Sequence, residues 1–460
     1  MKPGAMAKTK EKRAEKPPQI TSVFVGGFKS LRDRTEIALR PLTLLAGRNS
    51  SGKSSVMQAL LLLKQTLEAP FDPGPLRLDG PNVRFSDVEQ LFWRGARKGD
   101  TAQEFSIGFR GLDWSHGPRL GSRQELSVVF RRGDRPHDIA LDRLEFEDLD
   151  AFPKHQGILR ENMSARELRA LNKRSRLATP VNPSIKLQLA VQRNRCFLAV
   201  TLTGPGGFDW GYLLPPQWLG PAVPGHIERM IHLPGLRGNP ERSYPLTEVG
   251  RSFPGNFHHY TASVIASWQE LDDVRQRKLG EYLALLGLSW KAEARRIDAT
   301  HVEVRVGRLP SPAPGGANDL VNVADVGVGV SQTLPLLVAL LSADPGQIIY
   351  VEQPEIHLHP RAQVALARCL LDAAERGVIV VVETHSNLLL KGVQLEVARG
   401  ADPKLVKLHW FARDKAGATQ VTTADLDQQG AFGDWPEDFA DVELDVESSY
   451  LRASLRAAGA

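Results

Sequence analysis

Only two cysteines occur in 460 residues. Cys196 and Cys369 stand far apart and follow no metal-ligand spacing, so a disulfide framework and a cysteine metal site are both excluded. They read as small buried hydrophobes. No apolar run approaches the ~18 residues that a membrane helix needs. The opening stretch, "MKPGAMAKTKEKRAEKPPQ", is charged and lacks an apolar centre, so it reads as a solvated basic tail (residues 1–18), not a secretory signal. A long heptad pattern is missing, which excludes an extended coiled-coil arm. There is no internal repeat. The net charge of +5 permits contact with nucleic acid without requiring it, since part of it belongs to the tail. These absences leave a cytoplasmic globular protein of two or three domains, or one split domain with insertions.

What is present is an alternation of strands and helices. "TSVFVGGFKSL" and "EIALRPLTLLAGRN" carry the short apolar patterns of strands. "VMQALLLLKQTLEA" then has the spacing of a buried helix. "EFSIGFRG", "QELSVVFRRGD", "DRLEFED" and "SIKLQLAVQRNRCFLAVTLTG" predict antiparallel strands. A basic, proline-bounded stretch at about 152–182 interrupts them as an insertion. The pattern predicts an α/β fold with a parallel core sheet, an antiparallel β lobe and an inserted helical arm. The expected boundaries are 19–212 for a first lobe, 213–295 for a mainly helical arm, 296–424 for a second lobe and 425–460 for a C-terminal extension.

Chemistry concentrates in four blocks. Gly47-Arg48-Asn49-Ser50-Ser51-Gly52-Lys53-Ser54, followed by Ser55, fits G-x-x-x-x-G-K-[ST] between a predicted strand and a predicted helix. Glycines there let backbone N–H groups converge on phosphate oxygens at a helix N-terminus. Lys53 is expected on the β- and γ-phosphates of ATP and Ser54 on Mg²⁺. "IIYVEQPEIHLHP" brings Glu352 to the carboxyl end of a buried strand, placed to hold Mg²⁺. Gln353 can orient a water but cannot accept its proton. Glu355 is the nearest other carboxylate, either catalytic or a helix N-terminal acid. His357 and His359 are read as packing and capping residues or as a metal pair. "VVVETHSN" places His385 at the end of another buried strand, to contact a γ-phosphate or attacking water. "DVGVGVSQTLPLL" sets Gly327, Gly329 and Ser331 before an apolar helix, a second N-terminus suited to an anion.

In this order the four blocks resemble the ABC-type ATPase heads of the SMC, RecF and OLD (overcoming lysogenization defect) kind. "GRNSSGKSS" resembles Walker A, "DVGVGVSQ" the signature motif, "IIYVEQPE" Walker B and "ETHS" the switch-histidine loop. Similarity extends to standalone bacterial AAA-family proteins through "EQPEIHLHP", "HLPGLRGNPERSYP" and "DLDQQGAFGDWPEDFADVE". The resemblance implies a homodimer in which two heads sandwich ATP, with Gly327, Gly329 and Ser331 reaching the partner's nucleotide. It also implies Gln90, in "RFSDVEQLF", as a metal contact.

One departure matters. The wider family has Asp-Glu where this chain has Glu352-Gln353, which implies slow hydrolysis and a long-lived ATP-bound dimer. The expected role is a switch acting on double-stranded DNA or on a separately encoded nuclease or toxin, in anti-phage defence or DNA repair. Lys154, Arg160, Arg166, Arg169, Lys173, Arg174 and Arg176 are DNA-contact candidates, or a solvated helix face. Arg237 and Arg242 are phosphate contacts or turn-stabilising ion pairs. Two alternatives stand beside this reading. A regulatory ATPase of an OLD-type nuclease system has only Asp425 and Asp427 in its favour, too little for a nuclease domain. A transporter subunit lacks a close LSGGQ match.

Overall fold

The computed structural model describes residues 19–112, 123–150, 155–170, 188–203, 209–212, 222–309, 311, 319–433 and 448–454, apart from positions 96, 98, 136, 165 and 169. A six-stranded sheet organises the molecule, in the order Ile231–Leu233, Ile348–Glu352, Ile379–Glu383, Leu42–Gly47, Val406–Arg413, Thr419–Ala424. The first five strands run parallel, and the last pairs antiparallel with its neighbour. Leu42–Gly47 and Ile379–Glu383 are buried at every position. Continuous burial is the mark of parallel strands covered on both faces, which explains their unbroken apolar runs.

Side chains alternate across the sheet and feed two separate cores. Leu42, Leu44, Ile349, Val351, Val380 and Val382 face the helices Val328–Ser342, Pro360–Glu375 and Asn387–Ala398. Leu45, Ile348, Tyr350, Ile379 and Val381 face the opposite side, where the helix Lys53–Leu67 packs with an antiparallel sheet. That second sheet has six strands, in the order Thr35–Ala38, Gln19–Gly26, Glu104–Leu112, Arg123–Arg132, Ile139–Asp148, His155–Leu159. A further three-stranded sheet joins Gln188–Asn194, Phe197–Thr203 and Asp209–Tyr212.

The described part of segment 213–295 is not a free-standing arm. Its strand Ile231–Leu233 is wholly buried and pairs in parallel with Ile348–Glu352, becoming the edge of the central sheet. The helix Thr261–Glu270 buries Val264, Ile265 and Trp268 in the same core as the helix Val328–Ser342. Ala292–Arg296 pairs with His301–Gly307 across the expected boundary at 295. The apolar face of Thr261–Glu270 is covered by the helix Val328–Ser342 and by these two strands. Among the described residues no helix is long and apolar enough to cross a membrane.

Leu337 is fully buried between sheet and helices, whereas Leu271 is 72% exposed. Leu337→Ala is expected to cost about 2–5 kcal/mol. Leu271→Ala should stay within about 0.5 kcal/mol of the parent. Thermal or denaturant unfolding of both variants checks the assignment of this core.

Candidate functional site: the P-loop cavity and its carboxylates

The strand Leu42–Gly47 delivers the chain to a loop that only small residues can form. Gly47 has φ 137°, and a Cβ there would stand 2.2 Å from the Phe411 carbonyl oxygen. Gly52 has φ 102° and would place a Cβ 2.2 Å from Thr419 Oγ1. The Thr419 hydroxyl donates to the Ser51 carbonyl at 2.8 Å and contacts Ser30 Oγ at 2.8 Å, so the loop is seated from below. The helix Lys53–Leu67 then starts with no side-chain acceptor at its N-cap, Gly52. Ser55 donates its backbone N–H to the Gly52 carbonyl at 3.0 Å, and the N–H groups that open such a helix are suited to phosphate oxygens.

Lys53 is only 3% exposed. Its Nζ donates to the carbonyls of Gly47 (2.9 Å) and Arg48 (2.8 Å). Burial lowers its pKa, while the charges of Glu383 and Glu355 act in the opposite sense. A cavity of about 1090 Å³ opens over this loop. Asn49 to Ser55 line it on one side, with Gln90, Gln353, Glu383 and His385 on the others. The structure therefore brings the sequence-predicted Asn49 to Ser55, Gln90, Gln353 and His385 to one place, beside Glu383, whereas Glu352 is not among the lining residues. The glycine cradle and buried lysine fit a nucleotide triphosphate, and the hard oxygen donors beside them fit Mg²⁺.

The carboxylates are arranged by strand register. Glu352 and Glu383 lie opposite one another at the ends of adjacent parallel strands. The Ser54 hydroxyl donates to Glu383 Oε1 at 2.8 Å, and the Tyr350 hydroxyl to Glu383 Oε2 at 2.8 Å. Burial raises the Glu383 pKa, and these two hydrogen bonds oppose the rise without cancelling it. Glu352 is held differently. The Gly235 amide donates to its Oε2 at 3.1 Å, and His232 Nε2 lies 3.4 Å from its Oε1. Burial would raise this carboxyl, but His232 and the Gly235 amide bring it below the ordinary glutamate value. His232 is itself positioned by Asn82 Oδ1 at 3.0 Å and by stacking on Tyr350 at 5.5 Å.

Gln353 adopts φ 42° and donates its backbone N–H to the Glu383 carbonyl at 2.7 Å. A left-handed backbone at a non-glycine residue carries a steric cost and is a recurrent feature of functional sites. Glu355 accepts from the His385 backbone N–H at 2.8 Å, with its pKa raised by burial, and it does not line the cavity. The His385 side chain does. Burial, then the Lys53 charge, lowers its pKa below the ordinary histidine value.

The remaining predicted residues lie elsewhere. Gln90 is exposed at the cavity rim, donating to Ser86 Oγ at 2.8 Å. Gly327 is the N-cap of the helix Val328–Ser342, and Ser331 donates to the Val328 carbonyl at 3.1 Å. Neither these nor Gly329 line the P-loop cavity. Arg237 is 5% exposed and bound to main-chain carbonyls, which removes it as a surface contact for DNA. Arg242 is paired with Asp325 at 2.7 Å. His359 caps the helix Pro360–Glu375, and no metal cluster of three His, Cys, Asp or Glu occurs among the described residues. Asp425 is paired with Lys407 at 2.9 Å, and Asp427 accepts two backbone N–H groups in a turn. Arg160 and Arg166 are exposed; Lys154, Arg169, Lys173, Arg174 and Arg176 lie outside the described residues.

Sequence reading missed Glu383, Tyr350, His232 and Thr419. Glu383 had a usable signal, since it ends a buried parallel strand just as Glu352 does. The other three carry no local signal; only tertiary pairing brings them in.

Mg²⁺·ATP binding that uses the Glu383 carboxylate is lost as pH falls through its raised pKa. Tyr350→Phe removes a bond that favours the ionised form, so the pH midpoint for binding should move upward. Equilibrium binding of a fluorescent ATP analogue across pH checks this, with Lys53→Ala expected to abolish binding at every pH.

Residues 19–110 match the model of an AAA ATPase domain. Residues 314–391 match that of an AAA domain described as "putative AbiEii toxin, Type IV TA system". No curated protein matches the chain. Solved structures similar to it include an Smc head bound to the C-winged helix domain of ScpA, at 12% identity and TM-score 0.47, covering 89% of this chain and 98% of that one. An SMC head domain from Thermotoga maritima is 10% identical with TM-score 0.40, over 88% of this chain and 98% of that one. An Smc head with an extended coiled coil, bound to a ScpA domain derived from Pyrococcus furiosus, is 11% identical with TM-score 0.46, over 89% and 96%.

Proposed function

We propose a function on the premise that this chain carries a P-loop ATPase domain of the AAA type: it is a slow, ATP-dependent switch. The observation that carries the reading is the side chain next to Glu352. Gln353 lines the phosphate-binding cavity as an amide, while Glu355 stands outside the cavity lining and accepts the His385 backbone N–H with one carboxylate oxygen. An amide orients water but cannot take its proton. Loss of a general base typically lowers a rate by ~10²–10⁴.

In this reading Lys53 and the loop N–H groups bind the triphosphate of ATP. Ser54, with Glu383 and Glu352, would hold Mg²⁺, whose charge offsets that of the β- and γ-phosphates. His385, facing the cavity, donates or accepts one hydrogen bond at the γ-phosphate or its attacking water. Glu355 fixes the loop that presents it. The exposed turn at Gly327, Gly329 and Ser331 offers a helix N-terminus to the nucleotide on a second copy, giving a homodimer closed by ATP. Its output is double-stranded DNA or a separately encoded nuclease or toxin in the cytoplasm, in the setting of phage defence or DNA repair.

The test is ATP turnover by the purified protein with and without double-stranded DNA, alongside its mass with ATP and Mg²⁺. Gln353→Glu is expected to raise turnover by about 10²-fold, and Lys53→Ala to remove it. If Gln353→Glu turns over no faster than the parent, the amide is not what limits hydrolysis and the switch reading fails.

A further inference from the structure

The segment His232–Arg242 grips two parts of the molecule at once. At one end His232 and the Gly235 amide hold the Glu352 carboxylate. A Cβ at Gly235 would lie 3.7 Å from Glu352 Oε2 and 3.8 Å from Gln353 Oε1, so the segment runs alongside both side chains. At the other end it binds the start of the helix Val328–Ser342. Gln332 Nε2 donates to the Gly238 carbonyl at 2.7 Å, and Arg242 pairs with Asp325 at 2.7 Å. Arg237 joins the two ends directly. One of its NH₂ groups donates to the Gln332 carbonyl at 2.7 Å and the other to the Glu352 carbonyl at 3.2 Å.

Arg237 is an expensive residue for a merely structural tie. It is 5% exposed, its Nε has no hydrogen-bond partner, and both acceptors are neutral carbonyls. A buried cation is tolerated only where nearby negative charge compensates it. The charges that do so are those of Glu352 and Glu355. A divalent cation arriving at Glu352 would compete with Arg237 for the same negative charge. The guanidinium is thus the group that senses the metal from behind the carboxylate, and its other hand is on the glycine-rich helix turn.

We propose that Arg237 is a positioning residue that couples metal and nucleotide at Glu352 to the placement of the Gly327–Ser331 turn. Occupancy of one site thereby sets the surface offered to a second copy of the chain. This rests on the ATP-switch reading above and specifies how its two halves communicate. Coupling between sites in proteins commonly changes affinity by about 5–150-fold.

The experiment measures two quantities on the full chain: affinity for Mn²⁺·ATP, read by the metal's electron paramagnetic resonance signal, and the dimer dissociation constant with ATP, read by mass photometry. Arg237→Met, which removes the competing cation, should bind Mn²⁺·ATP at least as tightly as the parent while weakening the ATP-dependent dimer by about tenfold or more. Arg237→Lys, which keeps the charge but not the fork, should recover part of the dimer. If Arg237→Met fails to fold, Arg242→Ala decides, because its pair with Asp325 lies on the surface; it should weaken the dimer in the same direction. Equal dimerisation by parent, Arg237→Met and Arg242→Ala overturns the coupling alone. A parent that binds Mn²⁺·ATP and stays monomeric overturns the switch reading on which it rests.

Discussion

Parallel pairing of three distant segments is the constraint on which everything else depends. Leu42–Gly47 takes Ile379–Glu383 as its neighbour, and that strand takes Ile348–Glu352. The order matters because each strand ends at the same level. Register therefore places the P-loop, Glu383 and Glu352 in one row, and Ser54 meets a carboxylate 329 residues away in the chain. Backbone hydrogen bonding carries the geometry, and the two apolar cores on either face make the register costly to slip.

Burial then differentiates chemically similar groups. Glu352, Glu355 and Glu383 are alike in sequence and unlike in place. Glu383 is bridged by two hydroxyls and pushed upward by burial, Glu352 is drawn down by a histidine and an amide, and Glu355 accepts a main-chain N–H with one oxygen. A site built this way has carboxylates suited to holding a metal and an amide where a proton acceptor would otherwise stand. Under the proposed function this arrangement would bind nucleotide while hydrolysing it slowly, since positioning survives the loss of a base.

Much of this was readable beforehand, for physical reasons particular to each motif. The P-loop announces itself because its glycines answer a local need: Gly47 and Gly52 adopt positive φ. The buried strands announce themselves because both faces are covered, which forces unbroken apolar runs. Glu352 and His385 follow from standing at the ends of such strands. Periodicity reports that a helix in the segment 213–295 has an apolar face, not what covers it; for Thr261–Glu270 the cover is the helix Val328–Ser342 and the strands Ala292–Arg296 and His301–Gly307. Arg237, with its neighbours Gly235 and Gly238, reads as a turn in sequence, and nothing local shows that its guanidinium is buried.

By itself the sequence determined the elements, the phosphate loop and the identity of the side chain beside Glu352, because each depends on neighbours within a few residues. Tertiary structure alone decided which acid meets Ser54, that His232 and Tyr350 stack on each other beside Glu352 and Glu383, and that one buried arginine ties Glu352 to the glycine-rich helix. These contacts join segments about a hundred to more than three hundred residues apart. Their existence depends on strand order and register, and those are properties of the packed sheet that no short stretch of chain encodes.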